Sequence, residues 1–308
     1  MENTRAKTTR NSLILLLTAT IWGMAFVSQS KGMDYMHPFT FNGVRSLIGA
    51  AGILVYILIS RKIAGDKTAK LDWKLNVRAG LLCGIFLTIA STLQQFGIKY
   101  TSVGKAGFIT TLYIIFVPMF GIFLKKKVAP VVWAAAGMAA VGMYLLCMTE
   151  SLRLGAGDIM VFLCAIAFAI QIMTVDHYAA RIDGAVVSCI QFTVCGVVCC
   201  IGALIWGQPT FGQIQEGLGA LLYAGVLSCG VGYTLQIVGQ KGLNPTVAAL
   251  IMSLESVIAT ISGWIAYKIG FLSTDQTLTP RQIAGCIIVF AAVILVQLPP
   301  EWFRFGKK

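Results

Sequence analysis

Glu255 carries an ionisable group where one is costly. It sits about eleven residues into an apolar run that opens near Asn244, which at 1.5 Å per residue sets it midway across a bilayer. A carboxyl at that depth must face a polar cavity, find a partner or hold a proton. It therefore reads either as a site for proton coupling or solute contact, or as a structural partner that fixes helix packing. Arg45 lies about seven residues into another apolar run. Its planar fork suits bidentate capture of a carboxylate, and would equally tie down helix ends through carbonyl bonds. Lys105 stands close to the start of its run, from where it is expected to snorkel to the interface. Asp158 and Asp176 fall at the two ends of one run and read as structural.

A second tier is uncharged. Asn42, Gln94, Gln171, Gln191 and Gln236 lie inside apolar runs, where amides hydrogen-bond between helices or line a pathway. Trp22, Phe26, Tyr113, Phe168, Tyr233 and Trp264 could wall a site for an apolar or cationic ligand. The candidate pathway set is thus Trp22, Asn42, Arg45, Gln94, Tyr113, Gln171, Gln236 and Glu255.

The elements that must position these residues follow from composition. The chain has 308 residues, 57% of them hydrophobic and 12% charged, with a mean hydropathy of +0.81. A soluble domain carries roughly 25% charged residues, so most of this surface must face lipid. Ten apolar runs are each near the length of a spanning helix: 12–30, 38–60, 79–98, 102–124, 128–148, 156–175, 184–206, 217–239, 244–267 and 280–298. The expected fold is an all-α integral membrane protein of ten transmembrane helices. A polar segment, 1–11, precedes the first run, which is too long for the core of a signal peptide and is read as a retained helix. The tail 299–308 and the break 61–74 are the other aqueous stretches.

The net charge of +12 sits in short clusters between runs. Arg5, Lys7 and Arg10, then Arg61 and Lys62, Lys67 and Lys70, Lys74 and Arg78, and Lys125–Lys127 fall on one side. Arg181, Lys241, Arg304, Lys307 and Lys308 join them from the second half. Lys31, Lys99, Arg153, Lys268 and Arg281 fall on the other. This bias places both termini in the cytoplasm of a cell membrane. No polar basic segment with interleaved aromatics suggests nucleic acid. The nine cysteines, Cys147 among them, all lie in apolar runs and read as small hydrophobes. No cofactor or metal is expected.

Ten runs divide into five and five, 12–148 and 156–298. Thr92-Leu93-Gln94 through Gly97 and Lys99 returns as Thr234-Leu235-Gln236 through Gly239 and Lys241, an offset of 142 that falls at the same place in each half. An odd number of helices per half makes the second enter from the opposite side, giving an inverted-topology repeat. Gly80 and Gly84 form a close-packing pair, Gly230 and Gly232 loosen the eighth run, and Pro118 is expected to kink the fourth.

Several of these stretches resemble the drug/metabolite transporter superfamily, in particular its EamA-type members. They are Ala19-Thr20-Ile21-Trp22-Gly23, Arg45 with its small and apolar sequel, Leu112-Tyr113-Ile114-Ile115-Phe116-Val117-Pro118, and Asn244-Pro245 leading to Leu254-Glu255-Ser256-Val257. The family motif has proline where this chain has Ser256. The resemblance implies ten helices in two repeats and a carrier, mostly exporters or facilitators of amino acids, metabolites, nucleotide sugars or drugs.

The expectation is a secondary carrier, in the exporting direction, for a small organic solute such as an amino acid or amphipathic metabolite. A cationic drug or quaternary amine is the alternative substrate. No nucleotide-binding glycine loop offers ATP hydrolysis, so a gradient must drive it, with Glu255 as proton or counter-charge site. An intramembrane enzyme fits poorly: the two histidines, His37 and His177, stand at helix ends, and no pair of mid-membrane aspartates exists. A non-transporting receptor or scaffold would not need midplane polar residues in both halves.

Overall fold

In the computed structural model, residues 2–64, 72–124, 130–147, 155–273 and 275–297 are described. Lys67, Lys70, Lys125–Lys127, Arg153 and the tail 299–308 lie outside them, as do the side chains of Arg5 and Cys147. All regular structure among the described residues is helical. Eight helical stretches are long and apolar enough to cross a membrane, and two shorter apolar ones, Pro130–Gly142 and Pro280–Leu295, accompany them.

Helix α1 spans Glu2–Gly32, so residues 2–11 of the polar N-terminal segment are helical and continuous with the first apolar run. Helices α2 (Pro38–Ala64) and α3 (Trp73–Ile98) follow. The fourth run is two helices, α4 (Val103–Thr111) and α5 (Tyr113–Phe123), and α6 covers Pro130–Cys147. Next come α7 (Ala156–Tyr178) and α8 (Gly184–Gly202). The eighth run is segmented. After the short α9 (Phe211–Glu216), it comprises α10 (Leu218–Leu222), a π-helical stretch Tyr223–Gly232 that contains both glycines expected to loosen it, and α11 (Tyr233–Gln240). The ninth is again two helices, α12 (Pro245–Met252) and α13 (Leu254–Lys268), and α14 is Pro280–Gln297.

Polar residues start these helices by capping their free N–H groups. Asp72 accepts from Leu75 N at 3.0 Å, and Asn244 from Thr246 N at 2.9 Å with Pro245 in the first helical position. Helix α13 ends at Lys268, and Gly270 beyond it has a φ of +75, the left-handed value a glycine adopts freely. Phe271 N then closes back on Ala266 O at 2.8 Å.

The interruption in the fourth run falls at Leu112, six residues ahead of Pro118, so the proline is not itself the break point. Thr111 Oγ1 donates to Phe108 O at 2.8 Å there. In the ninth run Ser253 Oγ donates to Leu250 O at 2.7 Å and Ser256 Oγ to Ser253 O at 2.8 Å. Such back-bonding bends helices, and in the ninth run it accompanies the interruption, where Ser256 stands in place of the motif's proline.

Helix α8 packs between α2 and α3, α7 lies on α3, α1 on α13, and α6 pairs with α14. Small residues allow the approach: a Cβ on Gly80 would lie 2.6 Å from Ile190 Cβ, and one on Gly84 2.9 Å from Val194 Cβ. Outward faces are apolar, with Leu58, Ile201 and Ile287 each more than half exposed, as a lipid-facing surface requires.

Lys105 does not simply snorkel. Its Nζ pairs with Asp158 Oδ2 at 2.6 Å, joining α4 to α7, and Asp158, 4% exposed, also accepts from Thr101 Oγ1 at 3.0 Å and Gly155 N at 2.9 Å. Removing the lysine strands a buried carboxylate. Lys105→Ala should lower unfolding stability by about 1–3 kcal/mol, with Asp158→Asn recovering part of the loss, as followed by thermal unfolding in detergent.

Candidate functional site

The interrupted helices meet at the centre of the bundle. Tyr113 opens α5 and Glu255 stands in the first turn of α13, so each follows a break. Tyr113 Oη donates to Glu255 Oε1 at 3.0 Å, a buried bond between residues 142 apart. That separation equals the offset between the two Thr-Leu-Gln stretches. The same shift carries the helix cap Ser102 to Asn244, the back-bonding Thr111 to Ser253, and Phe26 to Phe168.

A small cavity surrounds this bond, with ≈ 30 Å³ open to the centres of water-sized molecules, room for about two waters. Of the eight residues the sequence singles out, Trp22, Arg45, Gln94, Tyr113, Gln171, Gln236 and Glu255 line it. Asn42 does not: its Nδ2 donates to Ser91 O at 2.8 Å, tying α2 to α3. Phe26, Phe168 and Tyr233 are on the wall, whereas Trp264 is elsewhere. Gln29, Ser46, Ser91, Phe192 and Ser228 also line it and were not foreseen. Gln29 was discoverable, since it precedes Gln171 by the same 142 residues.

The electrostatics are unusual. Arg45 and Glu255 are 5% and 3% exposed, yet neither has an opposite charge within 4.0 Å among the described residues. Arg45 Nε has no hydrogen-bond partner, and its guanidinium lies 5.3 Å from the centre of the Phe41 ring. Trp22 Nε1 and Gln29 Oε1 are buried and unpartnered as well. Leaving such groups unpaired costs about 1–3 kcal/mol each. They present donors at Arg45 and Trp22 and an acceptor at Gln29 to one space. The rings of Trp22 and Tyr233 lie 4.5 Å apart, and Phe192 meets Tyr233 edge-on at 5.0 Å.

The described residues form a multi-pass helical bundle with a buried polar cavity at its centre, an architecture that suits a membrane carrier. The chain belongs to the EamA-like transporter family, whose model matches it twice, over residues 10–148 and 155–298. It is a multi-pass membrane transporter. Relatives include an uncharacterized transporter of Archaeoglobus fulgidus, 27% identical over 92% of this chain and 84% of its own, and the transporter YwfM of Bacillus subtilis, 24% identical over 94% of both chains. A crystal structure that shares the fold superposes with a TM-score of 0.74 at 16% identity, covering 96% of this chain and 99% of its own.

Proposed function

We propose that this transporter is a secondary carrier that moves a small zwitterionic solute, an amino acid or amphipathic metabolite, by alternating access between two inverted five-helix halves. The observation that carries the solute class is a guanidinium and a carboxyl that line one cavity, neither with an opposite charge within 4.0 Å among the described residues. A carboxylate would take Arg45 and the Trp22 N–H; an ammonium would take Glu255 and the Gln29 carbonyl. Glu255 serves as the proton or counter-charge site of a gradient-driven cycle. The two family matches and the shared offset of 142 support the division into halves, with α6 and α14 as the fifth and tenth helices.

Export is the direction we adopt, as the resemblance implies. The cytoplasmic face of the cell membrane is assigned to the end that carries Arg61, Arg181 and Lys241. The bond from Asn11 Nδ2 to Lys241 O brings the start of α1 to that same end. Proteins that only sense or scaffold have no need of this buried polar centre.

A screen of purified protein in detergent would test the solute class. A ligand of the folded state raises the melting temperature by mass action, by about 2.7 kcal/mol of stability at a hundredfold excess over Kd. Zwitterionic amino acids should produce the shift, with sugars and nucleosides silent. A response confined to quaternary amines would move the site to the Trp22, Tyr233 and Phe192 rings and remove the paired-charge reading.

A further inference from the structure

Four glutamines line the cavity: Gln29, Gln94, Gln171 and Gln236. The shift of 142 relates Gln29 to Gln171 and Gln94 to Gln236, so each half contributes one matched pair, its members 65 positions apart. The two pairs are in different states. Gln236 Nε2 donates to Gln171 Oε1 at 3.2 Å, and Gln171 Nε2 faces Gln236 Oε1 at 3.5 Å, closing α7 on α11. In the first half Gln94 Nε2 donates instead to Thr110 Oγ1 at 3.2 Å, and Gln29 Oε1 is buried without a partner.

The pairs flank the cavity at opposite ends. Gln236 stands four residues before the end of α11, whose next residue, Lys241, holds the Asn11 end of α1. Gln29 stands near the other end of α1, about 27 Å of helix from Asn11. Gln94 is likewise close to the Lys99 end of α3.

We infer that the two glutamine pairs are latches that close in alternation: Gln171 with Gln236 shuts the Lys241 end in this state, and Gln29 with Gln94 shuts the Lys99 end in the other. Two inverted halves of like structure can exchange conformations, so the bond made in one half is the bond broken in the other. The unpaired Gln29 carbonyl is then a group held ready for a partner it meets in the opposite state. Gln29 and Gln94 act as positioning residues for the cycle. This rests on the alternating-access reading and does not depend on which solute is carried.

The test uses the full chain in lipid vesicles with the native cysteines replaced by alanine or serine. Gln171→Cys with Gln236→Cys, and Gln29→Cys with Gln94→Cys, are bridged by a short bifunctional thiol reagent, separately and combined in one four-cysteine protein. Each double variant should bridge alone. In the four-cysteine protein, molecules carrying both bridges should be at least tenfold rarer than the product of the separate yields, read by mass spectrometry. Both bridges coexisting at that product would overturn the latches.

Should the four-cysteine protein fail to fold, Gln171→Ala added to Gln29→Cys with Gln94→Cys keeps the question open to test. Releasing the closed latch should raise bridging of the first-half pair at least fivefold, and an unchanged yield counts against the proposal. Neither measurement needs a solute. Coexisting bridges in a protein that transports would remove the latches alone, whereas exclusive bridges in one that binds no zwitterion would remove the solute assignment alone.

Discussion

Glu255→Gln is expected to reduce coupled transport at least tenfold while leaving the fold intact. Glutamine keeps the shape of the side chain and an oxygen to accept from Tyr113, whose Oη lies 3.0 Å from the carboxyl. It cannot carry a negative charge or pass a proton. The variant should therefore unfold at nearly the wild-type temperature, yet fail to accumulate solute against a gradient in vesicles. Tyr113→Phe separates the hydrogen bond from the carboxyl itself. Losing a bond of this kind costs about 1.5–3 kcal/mol if the carboxyl is charged, or roughly 10- to 150-fold in affinity. Full gradient-driven transport by Glu255→Gln would end the coupling role, and would leave the carboxyl as a packing partner of Tyr113.

Arg45→Lys should be far from conservative. The guanidinium is buried among the cavity walls, with its Nε unpartnered and its carbon 5.3 Å from the centre of the Phe41 ring. Lysine offers a point charge in place of a fork, and the bidentate geometry a carboxylate prefers is lost. Binding of a carboxylated ligand is expected to weaken by about 10- to 100-fold, the equivalent of about 1.4–2.8 kcal/mol. Binding of the matching amine without the carboxylate should change less than about threefold by the same conversion. Titration of both ligands by melting shift compares them directly. Equal losses for the pair would make Arg45 a structural residue that shapes the cavity rather than one that reads the carboxylate.

Much of the site was legible because the membrane makes polar residues conspicuous. In an apolar run, Glu255, Arg45 and the glutamines stand out at once, and the cost of burying them unpaired says they must converge on something. Distance along a helix follows from the rise per residue, so the place of Glu255 near the middle of its apolar run was readable too. Its partner was not, because Tyr113 resembles any aromatic of an apolar run until the offset of 142 is applied to it. Asn42 shows the limit of the same reasoning: its amide is as polar as that of Gln94, but it faces the Ser91 carbonyl instead of the cavity.

What the sequence determined by itself was the class: a helical membrane protein, with a short motif that recurs at an offset of 142 and a small set of polar residues inside its apolar runs. These follow from composition, hydrophobic length and an internal repeat, which are local properties of the chain. Tertiary structure decided which of those residues meet. It placed the helix breaks at Leu112 and Ser253, where hydroxyl groups rather than a proline stand beside the interruption. It also paired Lys105 with Asp158 and brought Gln29 to the cavity wall. The reason is that apolar helices have little polarity difference around their circumference, so the face each one turns inward is chosen by small-residue contacts such as Gly80 against Ile190, and those exist only after the helices have packed.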